Sequence, residues 1–510
     1  MGDPDPRAPR RLRLPWLAVA VAALILLRFR HLGEVLDGPH SGRQCDTAFY
    51  ATDFYRHGIH LLRPSVCWMG GYKAVALEFP LPEAAMALAY HALGHKLLWA
   101  RLLVLLCFLG SAWYLYRIVQ YVRNARVAAV ATVLYLAMPL AQAYSRAVHV
   151  DFTAVFVAHA MLYYFLRGYD EERTGLIALG SAFAVLAFLI KAPYAFYLFL
   201  PFGLHALARP KFRALAKWAP LFALPLVAFA LWRWHVTRLN AAAPDWSFIP
   251  GYFKFTDMGW WYYGPMSLRL SVGTWVSLAQ RTLHVTCGTL GLYFLILGLV
   301  LRPSEGRGMH FFRLWLAGVV AYVAIFFNLN VIHDYYQIPF LAPVAFFVAA
   351  ALEWLFLERL PAQGLRAAVP FGLTVALLLG SYVRTAEAEY YTVDSVAVSA
   401  GERIRENTPQ EALVIGALGR KIAWWFDARL LQRADRCGWA IRVSDLNETN
   451  IRALIPEGAT HLAIVADQPV RADLAELLKT SPCRSFELAD PAWRLHLYRL
   501  DPALARPAPR

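Results

Sequence analysis

Residues 97–119 read LLWARLLVLLCFLGSAWYLYRIV, one of several long apolar stretches in this chain. An α-helix needs about 20 such residues to cross the hydrocarbon core of a bilayer. Of all 510 residues, 59% are hydrophobic and 17% are charged, and the mean hydropathy is +0.42. This composition excludes an ordinary soluble globular protein. The sequence therefore predicts a polytopic α-helical membrane protein.

The basic residues follow alternate apolar stretches and set the predicted orientation. Arginines precede the first stretch, Pro15–Leu27, and basic loops recur near residues 117–126, 209–217 and 302–313. Because cytoplasmic loops are rich in lysine and arginine, we expect a multi-pass protein of the plasma (inner) membrane with a cytoplasmic N-terminus and about eleven crossings. The first stretch lacks a cleavage site, which favours a retained helix over a signal peptide. Topology also explains the net charge of +15, so no nucleic-acid partner is predicted.

Two short segments are predicted not to cross the membrane directly. The outer loop at residues 31–97 contains the apolar run Leu81–Leu93, which is bounded by prolines and is too short to span. This run predicts an interfacial helix. Residues 271–280 are compatible with a re-entrant helix.

The composition changes after Arg384. Strand-like runs at 413–415, 462–465 and 495–498 alternate with charged helical stretches at 393–406 and 473–478. We therefore expect a membrane domain at 1–384, an extracytoplasmic α/β domain at 385–500 and a disordered tail at 501–510. The outer cysteines pair as Cys45 with Cys67 and Cys437 with Cys483 if the compartment is oxidising, and otherwise remain free thiols.

Several ionisable residues fall at the predicted outer ends of these stretches. Asp46 lies in the segment CDTAFYA after the first helix, and Glu78 precedes the interfacial helix. Such groups beside hydrocarbon are costly, so their convergence on one face predicts a functional site. Each of these two carboxylates has a structural alternative as a helix cap.

Asp151 and Lys191 lie at the outer ends of later spans. Asp151 follows Arg146, with which it would form a salt bridge if it were only structural. Lys191 would in that case be an anchor at the end of a span, with its ammonium in the interface.

Together these residues resemble the GT-C superfamily of membrane glycosyltransferases, in particular the branch of the protein O-mannosyltransferases and the lipid A aminoarabinose transferase. The matching elements are Asp46 with Tyr50, Glu78 with Pro80 and Leu81, Leu93-Gly94, Ala100-Arg101-Leu102, Asp151, Lys191, His333 with Tyr335, Tyr336 and Pro339, and, in the soluble domain, WWFDAR at 424–429 with Gly438-Trp439. The resemblance covers most of the chain.

The resemblance implies that a sugar moves, with inversion, from a polyprenyl-phosphate carrier to an outer acceptor, which would be a glycan, a lipid or a protein. Asp46 would be the general base on the acceptor or would orient the acceptor, Asp151 would be a second carboxylate near the acceptor or the sugar, and Glu78 would contact a ligand or the sugar. Lys191 and Tyr336 would hold the phosphate. Further substrate contacts are implied for Tyr50, His333 and Arg269.

This chain also departs from both branches. Thr47 follows Asp46 where the mannosyltransferases carry Asp-Glu, and Phe79 follows Glu78 where the lipid A branch has a lysine. The sugar, the acceptor and any need for a divalent metal therefore stay open. The alternative functions are a transporter or flippase for lipid-linked substrates, in which the outer charges would gate a pathway, and an envelope-assembly scaffold.

Overall fold

The computed structural model describes residues 15–33, 35–36, 38, 40–301, 307–359, 365–419 and 427–505. The membrane part consists of helices with short connections, and the C-terminal part is a mixed α/β domain. The helices of the first part are α1 (Pro15–Leu27), α2 (Ser41–His57), α3 (Leu81–Leu93), α4 (Leu97–Val122), α5 (Ala125–Ala137), α6 (Pro139–Tyr144), α7 (Asp151–Asp170), α8 (Thr174–Lys191), α9 (Pro193–Phe196), α10 (Phe199–Leu207), α11 (Phe212–Ala241), α12 (Gly259–Tyr263), α13 (Met266–Leu270), α14 (Val272–Thr286), α15 (Gly288–Val300), α16 (Arg307–Ile325), α17 (Phe327–Ile332), α18 (Leu341–Glu353) and α19 (Leu365–Tyr390).

Within the described residues, six segments are long and apolar enough to cross a membrane on their own. They are α4, α8, α11, Gly308–Ile325, Asp334–Arg359 and Arg366–Tyr390. The helices α14 and α15 form a further apolar pair, bent by 100°, which is either a broken span or a re-entrant loop. The bend lies just beyond the segment predicted to be re-entrant. The prediction of about eleven crossings also relies on shorter helices such as α1 and α5, and it stays a prediction.

Helix α18 lies at the centre of the bundle, and α11 lies at its edge. Every residue of α18 is buried. Gly298 of α15 packs so closely on α18 that any side chain there would collide with the Phe347 carbonyl group. In contrast, only 11% of the apolar window of α11 is buried inside the protein. An apolar helix left exposed in this way is suited to contact with lipid.

The first outer loop folds into a layer over one end of the bundle. It contains α2, the short hairpin of β1 (Ser65–Val66) and β2 (Lys73–Ala74), and α3, which packs on α2. The bounds of α3 match those of the predicted interfacial helix.

The C-terminal domain is α/β, as predicted. Its elements are α20 (Ser395–Asn407), β3 (Leu413–Leu418), α21 (Arg429–Ala434), β4 (Cys437–Arg442), α22 (Glu448–Leu454), β5 (Ala459–Ala466), α23 (Ala472–Leu477), β6 (Cys483–Glu487) and β7 (Arg494–Arg499). The strand order is β4-β3-β5-β7-β6, with β4, β3 and β5 parallel and the last two pairings antiparallel. Strands β4 and β6 were missed, because one is interrupted by glycine and the other is a polar edge strand.

This domain is seated on the first outer loop through backbone contacts. Gly438 donates to the Cys67 carbonyl at 2.8 Å, and Gly70 donates to the Gly438 carbonyl at 2.7 Å. Trp439 is fully buried against Gly70, whose φ of +79° and close approach to the indole suit glycine. The C-terminal domain therefore lies on the same surface as Asp46, where the active face is proposed.

The structure bears on the cysteines and on the C-terminal tail. All six cysteines are free, including Cys45 and Cys67, which agrees with the free-thiol alternative and not with the two disulfides. Cys437 and Cys483 lie on opposite edge strands of the sheet, about 19 Å apart at the usual strand spacing, well beyond disulfide reach. In the predicted disordered tail, the described residues Pro502–Ala505 form a 3₁₀ helix whose Leu504 carbonyl accepts a hydrogen bond from Arg452, and residues 506–510 lie outside the described residues.

Candidate functional site

A cavity of about 420 Å³ lies between the first outer loop, the outer end of α11 and the C-terminal domain. Its polar and aromatic lining residues are His40, Ser41, Arg43, Asp46, Trp68, Glu78, Arg233, Asn240, Phe253, Phe255, Trp261, Tyr262, His333, Tyr335, Tyr336, Asp427 and Arg429. Carboxylates, cations and aromatic rings thus face one enclosed space, which is the usual make-up of a small-molecule site. Four of the predicted residues line it, namely Asp46, Glu78, His333 and Tyr336.

Asp46 lies inside α2 and presents its carboxylate to the cavity. Its Oδ1 accepts a hydrogen bond of 2.9 Å from the indole Nε1 of Trp68. Burial raises the pKa of Asp46 to about 6, although the nearby Arg43 and the Trp68 N–H group favour the charged form. Since α2 begins at Ser41, Asp46 is not its cap. A carboxylate with this pKa is mostly ionised at neutral pH and can accept a proton.

Glu78 forms an ion pair with Arg43, which lies three residues before Asp46 on α2. Both charged groups are largely shielded from solvent. The capping alternative for Glu78 does not hold, because α3 begins at Leu81 with no side-chain cap. The pair joins the segment before α3 to the helix that carries Asp46.

Asp151 and Lys191 lie behind the cavity wall. Lys191 Nζ donates to Asp151 Oδ1 at 2.9 Å, and Tyr194 donates to the same oxygen. The ammonium lies 4.3 Å from the ring centroid of Tyr336 and 5.0 Å from that of Tyr335, and both rings line the cavity. Lys191 is only 6% exposed, so it is not an anchor in the interface.

Asp151 is not next to the cavity as the resemblance implied. It is fully buried, and besides Lys191 it contacts the His149 ring. The alternative of a salt bridge with Arg146 does not hold either, since the Arg146 guanidinium donates to the His31 carbonyl and covers the Tyr391 ring.

Two histidine side chains, those of His40 and His333, form another wall of the cavity. His40 Nδ1 lies 3.1 Å from His333 Nδ1, and His40 Nε2 lies 3.3 Å from Asp334 Oδ1. Asp334 also accepts hydrogen bonds from Tyr144 at 2.7 Å and Tyr390 at 2.8 Å. His40 therefore connects the His333 ring to a buried carboxylate.

Two of the implied substrate contacts lie away from the cavity. Tyr50 is buried and donates to the Val75 carbonyl at 2.5 Å, which fixes the strand leading to Glu78. Arg269 donates to three backbone carbonyls, those of Tyr263, Ala324 and Ile325. Both side chains organise the surrounding loops.

Other lining residues were missed from the sequence. Arg233 lies near the outer end of α11, next to Trp232, whose ring meets Phe79 edge-on at 5.0 Å. From the C-terminal domain come Asp427 and Arg429, which form a bidentate pair, and Arg429 also contacts Asp394 at 2.9 Å. Only the position of Asp427 and Arg429 within the noted WWFDAR motif hinted at a role, and residues 424–426 of that motif lie outside the described residues.

Metal binding has no ready-made site in the part of the chain that the structure describes. No group of three or more His, Cys, Asp or Glu side chains is arranged there to hold an ion.

The chain is similar to known proteins in part of its sequence and in its fold. Residues 78–234 match the family model of the dolichyl-phosphate-mannose-protein mannosyltransferases. This segment runs from Glu78 through Asp151 and Lys191 to just beyond Arg233. No curated protein sequence matches the chain significantly.

Three solved structures share the fold over most of the chain. ArnT from Cupriavidus metallidurans, solved with undecaprenyl phosphate, has a TM-score of 0.63 at 17% identity and covers 97% of this chain and 99% of its own. The oligosaccharyltransferase AglB from Archaeoglobus fulgidus, solved with an inhibitory peptide and a dolichol-phosphate, has a TM-score of 0.57 at 12% identity, covering 88% and 69%. The arabinofuranosyltransferase AftD from Mycobacteria has a TM-score of 0.56 at 16% identity, covering 96% and 40%. The chain therefore shares its fold with these three membrane glycosyltransferases, and its residues 78–234 are similar to the mannosyltransferase family.

Proposed function

We propose that the chain transfers a hexosyl or pentosyl group from a polyprenyl-phosphate carrier to an extracytoplasmic acceptor, with inversion. The observation that carries the proposal is the placement of the Asp46 carboxylate in a cavity that also contains the cations and hydroxyl groups needed for a phosphate. The carriers in the ArnT and AglB structures, undecaprenyl phosphate and dolichol-phosphate, belong to the same chemical class.

In the proposed reaction Asp46 is the general base. It accepts the proton of an acceptor hydroxyl or amine as the acceptor atom bonds to the anomeric carbon. The bond from that carbon to the phosphate oxygen breaks, and the polyprenyl phosphate leaves with the electron pair. Because attack and departure occur on opposite faces of the sugar, the configuration inverts. Glu78, held by Arg43, is placed to contact the sugar.

The leaving phosphate needs positive charge and hydrogen-bond donors. Tyr336 and Arg233 reach the cavity directly, whereas Lys191 supports Tyr336 from behind at 4.3 Å. Arg233 forms no ion pair with a described residue, and its neighbour in sequence, Trp232, contacts Phe79, the position where the lipid A branch has a lysine. We therefore assign the direct phosphate contact to Arg233 and Tyr336, with Lys191 as the buried charge behind them.

The two alternative functions, a transporter or flippase and an assembly scaffold, explain this geometry less well. A transporter or flippase would need a path for its substrate, whereas the carboxylate-lined cavity here is closed on one side by the C-terminal domain. A scaffold would have no need of a buried, paired lysine behind two tyrosines.

The orientation that the proposal needs is a cytoplasmic N-terminus in the inner membrane. Reporter fusions after Arg126, Arg213 and Arg307 should therefore read cytoplasmic, and fusions after His57 and Arg405 extracytoplasmic. A cytoplasmic signal at Arg405 would separate the C-terminal domain from the outer face and contradict the proposal.

The decisive test is a transfer assay with radiolabelled polyprenyl-phosphate sugars, membrane extracts as acceptor, and the purified chain. We expect label in the acceptor and an equal amount of free polyprenyl phosphate. Movement of intact carrier between leaflets of a vesicle without release of sugar would instead identify a flippase. Failure to do either, with every carrier tested, would favour the scaffold.

A further inference from the structure

A second concave region lies on the other side of the hairpin from the cavity. This outer groove has a volume of about 480 Å³ and is lined by His60, Arg63, Ser65, Tyr72, Lys73, Ala74, Leu239, Ala242, Ala243 and Pro244. Ala76 and Asn240 line the cavity, whereas their neighbours Ala74 and Leu239 line the groove. The two spaces therefore share one wall, made by the end of β2 and the end of α11.

The outer groove is positively charged. Arg63 and Lys73 are exposed at its rim, and neither forms an ion pair with a described residue. No lining residue is acidic. The nearest acid in sequence to the lining, Asp245, is paired with Lys254 at 3.3 Å. Two unpaired cations around one hollow attract an anion.

The groove lies where α11 ends, and its surroundings are suited to a lipid surface. His235 Nε2 contacts the Leu62 carbonyl at 2.7 Å, which ties the rim of the groove to α11. Leu62 is 56% exposed beside this contact, and Trp234 is 59% exposed. The Arg238 guanidinium lies 4.5 Å from the centroid of the Trp234 ring. Exposed tryptophan and arginine at the end of an apolar helix are typical of the headgroup level of a bilayer.

We propose that the outer groove binds the phosphate group of an anionic lipid headgroup. Arg63 and Lys73 supply the charge, and the Ser65 hydroxyl group supplies a neutral donor from the same lining. A lipid phosphate is the source favoured over a soluble one, because exposed apolar side chains flank the basic residues and would contact the acyl chains. The groove is separate from the cavity that holds Asp46, and the proposal does not depend on sugar transfer.

Binding of short-chain lipids to the purified full-length chain tests this directly. The probes are dioctanoyl phosphatidylglycerol, dioctanoyl phosphatidylcholine and inorganic phosphate, measured by titration calorimetry at low and high salt. We expect the anionic lipid to bind, and the variant Arg63→Gln/Lys73→Gln to bind it about thirty-fold more weakly, from the usual contribution of a cation near an anionic headgroup. High salt should reduce this difference.

The matched control is Lys479→Gln/Arg484→Gln, which removes the same charge from the C-terminal domain. It should bind the anionic lipid as the unmodified chain does. Equal binding by Arg63→Gln/Lys73→Gln, or equal affinity for phosphatidylcholine, would overturn the proposal. Equal affinity for inorganic phosphate would show that the anion is soluble rather than lipid-borne and would also overturn it.

Discussion

Trp68 donates its indole N–H group to the carboxylate of Asp46 across the candidate active site, at 2.9 Å. The two residues are 22 positions apart, one inside α2 and the other just after β1. The Trp68 carbonyl in turn accepts a hydrogen bond from Tyr252 at 2.8 Å. The proposed base is thus oriented by a residue whose own backbone is held by a hydrogen bond from Tyr252.

The first prediction concerns Asp46 itself. Asp46→Asn keeps the shape and the Trp68 contact but removes the proton acceptor, so transfer should fall about a hundred- to ten-thousand-fold while carrier binding changes little. Turnover of the purified variant with labelled carrier measures this. Asp53→Asn is the control, because Asp53 lies on the same helix and pairs with His57 instead of lining the cavity. Near-normal turnover in Asp46→Asn would move the role to Glu78 or Asp427.

The second prediction concerns pH. Since burial raises the pKa of Asp46 to about 6, transfer should rise with pH as this carboxyl group loses its proton near that value. Trp68→Phe removes a hydrogen bond that stabilises the charged form, so the midpoint of this rise should move to higher pH. The pH dependence of kcat/KM in the two proteins gives the comparison. An identical midpoint would show that the titrating group is not Asp46.

The third prediction concerns the buried pair of Lys191 and Asp151. Lys191→Met leaves the Asp151 carboxylate without its ammonium partner, which should lower stability by about 3–5 kcal/mol. The double variant Lys191→Met/Asp151→Asn should regain much of that loss, as judged by thermal unfolding in detergent. Carrier binding should nevertheless remain weak in the double variant, because the positive charge behind Tyr336 is gone. Normal carrier binding in the double variant would limit Lys191 to a structural role.

The fourth prediction concerns the cysteines. Cys483 is exposed, whereas Cys45, Cys67 and Cys437 are buried. A polar maleimide should therefore modify Cys483 rapidly in the native protein and the other three only after unfolding. Peptide mapping by mass spectrometry without reduction should find all four as free or labelled thiols. A Cys437–Cys483 linked peptide would contradict the strand order of the sheet.

Local sequence patterns predicted helices and strands, because residues close together in sequence determine where such elements begin and end. The prolines before α3 and Gly94 after it set the bounds of that helix, and β-branched runs marked β3 and β5. Local sequence patterns also indicated which types of residue form the candidate site. Asp46, Glu78, His333 and Tyr336 all line one cavity, so these four residues lie on a common side of the helices.

Contacts between segments that are distant in sequence could not be predicted from local patterns. Asp151 and Lys191 are 40 residues apart, and nothing in either segment indicates that the carboxylate neutralises the lysine. Arg233 follows an apolar run, and nothing in its local sequence sets it apart. The place of Arg233 in the cavity depends on how α11 packs against the segment that contains Phe79, and this packing is a tertiary contact.

The contact between Asn240 and Ala76 links the site to the surrounding bilayer. The Asn240 side chain accepts from the Ala76 amide at 2.9 Å and donates to the Ala76 carbonyl at 3.0 Å, two residues before Glu78. Asn240 is the penultimate residue of α11, which has the smallest buried share among the six described segments that could span a membrane. A mismatch between the length of an apolar helix and the thickness of the bilayer is accommodated in part by tilting of the helix. A tilt of α11 would be transmitted through the Asn240–Ala76 contact to the segment that carries Glu78, so the thickness of the host membrane would act on the geometry of the cavity.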